Sequence, residues 1–340
     1  MTSTDKRPLR AGDVVEVRSA AEILATLDNG AALGKMPFMP EMLRYAGQRF
    51  EVTSRVEKIC DTVAGTGSRR MRETVFLEDL RCDGSRHGGC QQGCRLYWNE
   101  AWVRRVDDQS KAVPVQKPTH ESAEATVRLE QLAEAGTRTV REIEGKPSEV
   151  WRCQVTESFV ATTPLPTRNL GQYWRELVNG NFTLLRFLFI SLRGFPFEIG
   201  RRIGLIKPVP LRGRAGQLTK EEPLNLQPGD FVQVKSRQEI AATLNERGFN
   251  RGLSFDREML PHCGRTMRVR DRVQRVIDDK TGRMLNLKKD CLILEGSYCS
   301  GEITMGCWFC PRQIYPFWRE AWLRRVEGPD VKPGTASAKG

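Results

Sequence analysis

Cysteines recur in threes at one place in each half of the chain: Cys82, Cys90 and Cys94, then Cys299, Cys307 and Cys310. Adding 217 to a residue number carries Cys82 onto Cys299 and Cys90 onto Cys307, while the third cysteine is displaced by one place. Such a repeated set points to metal, because thiolates are soft ligands and a closed zinc site takes four nitrogen or sulfur donors in a tetrahedron. Gly84, Gly88, Gly89 and Gly93 would let the backbone wrap closely around an ion. His87 or Cys60 could supply the fourth donor of the first set, and Cys263, His262 or Cys291 that of the second. His87 and Cys263 are the favoured pair. The halves share no fourth donor, since Cys60 aligns with Ile277, Cys263 with Ala46 and His87 with Thr304. Zinc is the expected metal and an iron–sulfur cluster the alternative, against a bland reading of inert buried thiols. Cys153 belongs to neither set.

The run Cys82-Asp83-Gly84-Ser85-Arg86-His87 resembles the CDGSH iron–sulfur signature, with Arg86 inserted before the histidine. That resemblance implies a two-iron cluster. More broadly, the Cys82–Cys94 run and Cys310-Pro311-Arg312-Gln313-Ile314-Tyr315-Pro316 resemble bacterial tandem proteins built of cysteine-rich SH3-like modules. This implies two modules and carries no mechanism.

The elements that must position these thiols are themselves duplicated. Gly12-Asp13 recurs as Gly229-Asp230, Glu22-Ile23 as Glu239-Ile240, and Glu41-Met42-Leu43 as Glu258-Met259-Leu260. Beyond Cys90 the register slips by three, so that Glu100-Ala101-Trp102 matches Glu320-Ala321-Trp322. Alternation with period two predicts strands at 13–18 and 231–235. Ser19 and Ser236, each with glutamate three places on, form capping boxes that predict helices at 20–27 and 237–244. Further strands are expected at 50–56, 75–80 and 102–106 and at 267–273, 292–294 and 322–326. The fold class expected is mainly β with α (α+β). Two small SH3-like β-barrel modules, 8–106 and 225–327, flank a linker and α-rich middle region at 107–224, and 328–340 forms a disordered tail. In the middle region, 121–135 and 170–178 read as helices and 150–160 as a strand pair or extended segment.

Other residues invite chemistry less strongly. Trp98, Trp102, Trp318 and Trp322 are core aromatics, or else a stacking platform. Glu100 and Glu320 between them would line an acidic-aromatic pocket, the basis of an enzyme reading. Glu41 and Asp61, matched by Glu258 and Asp278, are candidate acid–base carboxylates whose simpler role is in turns and caps. Phosphate-binding glycine loops and nucleophile elbows are lacking, which lowers the enzyme reading.

The sequence of 340 residues carries a formal charge of +12, spread along its length. That favours an anionic partner, whether an unidentified protein, nucleic acid or acidic lipid. With no nucleic-acid motif present, sequence-specific recognition is not expected. Residues 182–206 are the most apolar stretch, with Arg186 and Arg193 seven apart. The favoured reading packs this helix between the modules with its arginines in solvent; peripheral membrane contact is the alternative. Without an apolar leader or a span, the expected location is the cytoplasm, extending to the inner face of the membrane. The function expected is that of a metal-stabilised tandem-module binding or scaffold protein, with a metal-handling redox protein or an enzyme as alternatives.

Overall fold

A computed structural model describes residues 7–106, 120–205, 210–213, 223–304 and 307–328. The expected linker at 107–119 and the tail from 329 onward lie outside the described residues. The chain mixes α and β, with antiparallel strands in open sheets and few helices. In the first module, Val14–Val17 pairs on one side with Arg49–Arg55 and on the other with Val103–Arg105. Thr74–Leu77 and then Trp98–Asn99 extend the sheet beyond Arg49–Arg55. In the second, Phe231–Val234 lies between Thr266–Ile277 and Leu323–Arg325, and Met284–Leu294 flanks Thr266–Ile277.

Local chemistry repeats at matching positions. Ser19 caps the Ala20–Leu24 helix and Ser236 caps Arg237–Ala242, each in a complete capping box. Asp28 Oδ1 accepts the N–H groups of Gly30 and Ala32 at 2.9 Å. Asn245 Oδ1 accepts those of Arg247 and Phe249 at 3.0 Å. The indole N–H of Trp102 donates to Thr26 Oγ1, and that of Trp322 to Thr243 Oγ1, both at 3.0 Å.

All four tryptophans are fully buried and centre their cores, so they offer no stacking platform. Phe38 meets Trp102 edge-on at 5.3 Å, as Phe255 meets Trp322. Glu100 and Glu320 lie in one-turn 3-10 helices rather than on strands. Glu100 pairs with Arg55 and accepts the N–H of Leu9. Glu320 accepts the N–H groups of Leu224 and Leu226 and the guanidinium of Arg272, the last at 2.8 Å. Each carboxylate clamps the segment entering its module onto the sheet. The acidic-aromatic pocket is therefore not formed, because its tryptophans face the core and its glutamates face arginines.

Neither sheet closes into a barrel. In the first, the edge strands Trp98–Asn99 and Val103–Arg105 are joined by the 3-10 turn Glu100–Trp102 and do not pair with one another. Strands of two or three residues at both edges offer too few ladder bonds for closure.

The chain divides into two compact units that cut across the duplication. One comprises Met1–Ile206, Arg275–Asn286 and Cys299–Ile314; the other comprises Lys207–Gln274, Leu287–Tyr298 and Tyr315–Gly340. Within the first, the middle segment is less helical than its composition suggests. His120–Ala135 and Gly171–Val178 are helices, but Arg138–Ile143 and Lys146–Trp151 form a hairpin. Thr163–Leu165 adds a strand beside Ser68–Arg70. The 150–160 stretch, expected to be extended, instead ends the hairpin and turns into the short helix Gln154–Glu157.

The Glu320 clamp yields a test. Burial works to raise its carboxyl, but the N–H groups of Leu226 and Leu224 and the Arg272 guanidinium outweigh this and hold it below its ordinary 4.5. A carboxyl lowered on folding contributes stability above the unfolded value, and that contribution is lost as pH falls through the folded value. Glu320→Gln should cost about 1.5–3 kcal/mol at neutral pH in urea unfolding followed by tryptophan fluorescence. The gap from wild type should narrow as pH falls below 4.5.

Candidate metal centre

Glu41 lies in the 3-10 helix Pro40–Tyr45, and Cys82 and His87 lie in the loop that leads to the Trp98–Asn99 strand. The ligand atoms of Glu41, Cys82 and His87 all lie within 4.8 Å of one another. The carboxylate and the ring are almost sealed from solvent, at 1% and 2% exposure. Glu41 Oε1 faces His87 Nδ1 at 2.8 Å and accepts the Arg86 N–H at 3.2 Å. The Cys82 thiol approaches the same oxygen at 3.9 Å. Burial works to raise the Glu41 carboxyl, but His87 and the backbone donors outweigh it and hold it below the ordinary range. Oε2 of Glu41 is buried and has no hydrogen-bond partner among the described residues. Leaving a carboxylate oxygen unmet in the interior is costly, so a ligand at that position would be stabilised.

The imidazole is oriented for such a ligand. His87 Nε2 faces the carbonyl of Arg152 at 3.2 Å, which requires a proton on that nitrogen. Nδ1 faces Glu41 Oε1 and donates to it in the absence of a cation; a metal would take the place of that proton. A histidine anchored through one ring N–H to a backbone carbonyl is the arrangement metal ligands adopt.

Beside this group is a cavity of about 30 Å³ lined by Cys82, His87, Cys90, Cys94, Cys153 and Asp279. Cys153 arrives through its neighbour Gln154, whose buried side-chain amide donates to the carbonyls of Tyr97 and Pro37 and accepts the Tyr97 N–H at 2.8 Å. Cys90 Sγ accepts the N–H of Ile277 at 3.3 Å. Burial raises Cys82 and Cys94 well above an ordinary thiol and pushes Cys153 up to about 12. The thiols are thus neutral without a cation, and metal binding would release protons.

The second cysteine set is built differently. The N–H of Cys82 donates to the carbonyl of Cys94, and that of Cys299 to the carbonyl of Ile314, both at 2.8 Å. Gly84 and Gly301 are left-handed, and a Cβ on either would strike the carbonyl oxygen of Cys90 or Cys310, at 1.9 and 1.8 Å. By backbone position, then, Cys90 corresponds to Cys310 rather than Cys307, and Cys94 to Ile314. The three-residue slip falls inside the loop, ahead of Cys310. Cys307 and Cys310 are buried together with Cys60, whose N–H donates to Cys310 Sγ at 3.3 Å. The buried Arg312 donates to the carbonyl of Cys60 at 3.1 Å and approaches its sulfur at 3.6 Å. Cys60 therefore joins Cys307 and Cys310 of the second set, while Cys299 is half-buried. Cys263 packs on the core of the second compact unit beside His262, whose ring meets Trp318, and Cys291 is buried in the Met284–Leu294 strand.

Sequence reasoning passed over Cys153 and Asp279 and weighed Glu41 only for acid–base work. Glu41 lies 46 residues before His87, and Cys153 is 59 residues beyond Cys94, so no local spacing signals either. Asp61 and Asp278 are turn caps: Asp61 Oδ1 accepts the N–H groups of Val63 and Ala64, and Asp278 Oδ1 that of Thr281.

Removing one member of a buried pair leaves the other without compensation. His87→Ala should therefore destabilise the metal-free protein by about 3–5 kcal/mol in urea unfolding, against less than about 1 kcal/mol for Arg44→Ala in the exposed Arg44–Asp83 pair. Comparison with protein-family models, curated proteins and solved structures finds no match to this chain.

Proposed function

We propose that the chain is a metal-stabilised binding protein whose metal is held by Glu41, Cys82 and His87, with a thiol of Cys90, Cys94 or Cys153 completing the set. The observation that carries this reading is the buried, unpartnered Oε2 of Glu41 within a compact carboxylate–thiol–imidazole group. A mixed oxygen, nitrogen and sulfur set suits zinc, which supplies structural cross-linking without redox chemistry. Glu41 orients the imidazole through one ring nitrogen and the Arg152 carbonyl through the other. An iron–sulfur cluster is the second reading, favoured by the four cysteines on one cavity and by the CDGSH-like run. The SH3-like description of the modules also remains a proposal. It is supported by edge strands that follow one another through a single 3-10 turn.

Elemental analysis of protein expressed with zinc and iron supplied tests the centre. About one equivalent of metal is expected. Glu41→Gln, Cys82→Ser and His87→Ala should each lower the content to background. Cys153→Ser should lower it if that thiol completes the set, and Cys291→Ser should leave it unchanged. A colourless loaded protein supports zinc and a brown one the cluster. A folded wild type without metal overturns both.

A further inference from the structure

Cys60, Cys307 and Cys310 are 6, 0 and 4% exposed and pack together against Ile314. Cys60 ends the Lys58–Cys60 strand, and Cys307 opens the Cys307–Trp308 strand, whose partner is Ile303–Thr304. Cys310 is the shared member. Its sulfur accepts the Cys60 N–H at 3.3 Å, and its thiol is hydrogen-bonded to those of both Cys307 and Cys60. Among the described residues, Glu41, Cys82 and His87 alone bring three donors within 4.8 Å of one another. The three sulfurs therefore stand in a row centred on Cys310 rather than in a closed cage. No carboxylate or imidazole among the described residues joins any two of them within that reach.

Two buried cations flank this row, which an inert core of thiols would not need. Arg312 aims Nη1 at the Cys60 sulfur at 3.6 Å and its carbonyl at 3.1 Å, and the Asp279 carboxylate is 3.9 Å away. Lys58 is fully buried, yet its ammonium meets no oxygen closer than 3.4 Å. Gln172 Oε1 stands at 3.4 Å and Glu176 Oε1 at 3.5 Å, with the rings of Tyr173 and Phe309 also facing it. Burial works against the ammonium, and Glu176, Cys307 and Cys310 work to hold its proton. A buried cation so weakly met is stabilised by negative charge beside it. Neutral thiols supply none, and a disulfide is neutral too. A hydrogen bond with Cys310 and burial hold the Cys60 thiol well above its ordinary 9.0, so its sulfur stays uncharged until a cation displaces the proton to solvent. Zinc takes four donors, whereas this row has three, and its polar neighbours Lys58 and Arg312 offer no lone pair. Cu(I) is a soft ion that thiolates select and that accepts a low coordination number. Its single charge leaves the copper–thiolate group anionic, complementary to both cations.

We propose that Cys60, Cys307 and Cys310 bind one Cu(I) ion, with Lys58 and Arg312 balancing the charge of the copper–thiolate group. The site shares no ligand with the centre at Glu41, Cys82 and His87, so either can fail without the other.

The test is anaerobic titration of the reduced full-length protein, with zinc present, against Cu(I) held by the chelator bathocuproine disulfonate. About one equivalent of copper should pass to the protein, and X-ray absorption at the copper edge should show sulfur neighbours alone. Cys310→Ser should weaken that binding more than about a hundredfold, beyond the range for outer-shell partners, and Cys307→Ser serves where it does not fold. The double substitution Lys58→Met with Glu176→Gln removes both buried charges together and should weaken binding about tenfold, within that range. Cys82→Ser and Cys153→Ser should leave it unchanged. The proposal is overturned if folded wild type yields all its copper to the chelator, or if nitrogen or oxygen neighbours the bound ion. It is equally overturned if Cys82→Ser abolishes the tight equivalent while Cys310→Ser spares it, which would assign the copper to the other centre. Isolation of the wild type with Cys310 in a disulfide to Cys60 or Cys307 would overturn it as well.

Discussion

A carboxylate removed from water must be met by donors, and the donors of Glu41 come from a different part of the chain. His87 and the Arg86 N–H bind it from the cysteine loop, and the other nitrogen of His87 takes the Arg152 carbonyl from the segment after the hairpin. One carboxylate and one ring thus tie together three stretches of sequence. Cys153 follows Arg152 directly and is delivered to the cavity by that tie and by the Gln154 amide. Cys82 and Cys153 thus stand on two of the stretches that Glu41 and His87 join.

Much of the architecture was legible because it depends on short-range chemistry. Ser19 with Glu22 and Ser236 with Glu239 specify helix starts through bonds between neighbours, and both helices begin where those residues place them. Alternation located Val14–Val17 and Phe231–Val234. What was not legible depends on packing between distant segments. Nothing local joins Glu41 to His87 or Cys153 to Cys94. Pro196 lies inside the Leu184–Arg202 helix, which runs through it, while Phe187 and Gly194 rest on Phe309 and Trp308 ahead of it.

The cysteine sets show how residue identity can mislead when backbone position decides. Cys90 and Cys307 are the same residue at the same offset, yet the glycine turn that fixes the loop places Cys310 where Cys90 stands. Two loops with one turn geometry therefore present their sulfurs differently. One surrounds a cavity with a histidine and a carboxylate nearby, and the other meets Cys60 and Arg312 in a sealed cluster.

The compact unit that holds both clusters is discontinuous, and this bears on how it is made. It draws Arg275–Asn286 and Cys299–Ile314 from late in the chain, and Cys60 is 250 residues from the sulfur its N–H meets. Such wide sequence separation slows folding, because a long loop must close before the contact gives any return. A nascent chain emerges from the ribosome with Cys60, Cys82 and Cys94 already outside while the segments that complete their surroundings are still untranslated. During that interval the thiols are open to oxidants and to chaperones alike. The gene cannot be split at the repeat boundary into two self-sufficient halves, since the first would lack walls that only the second encodes.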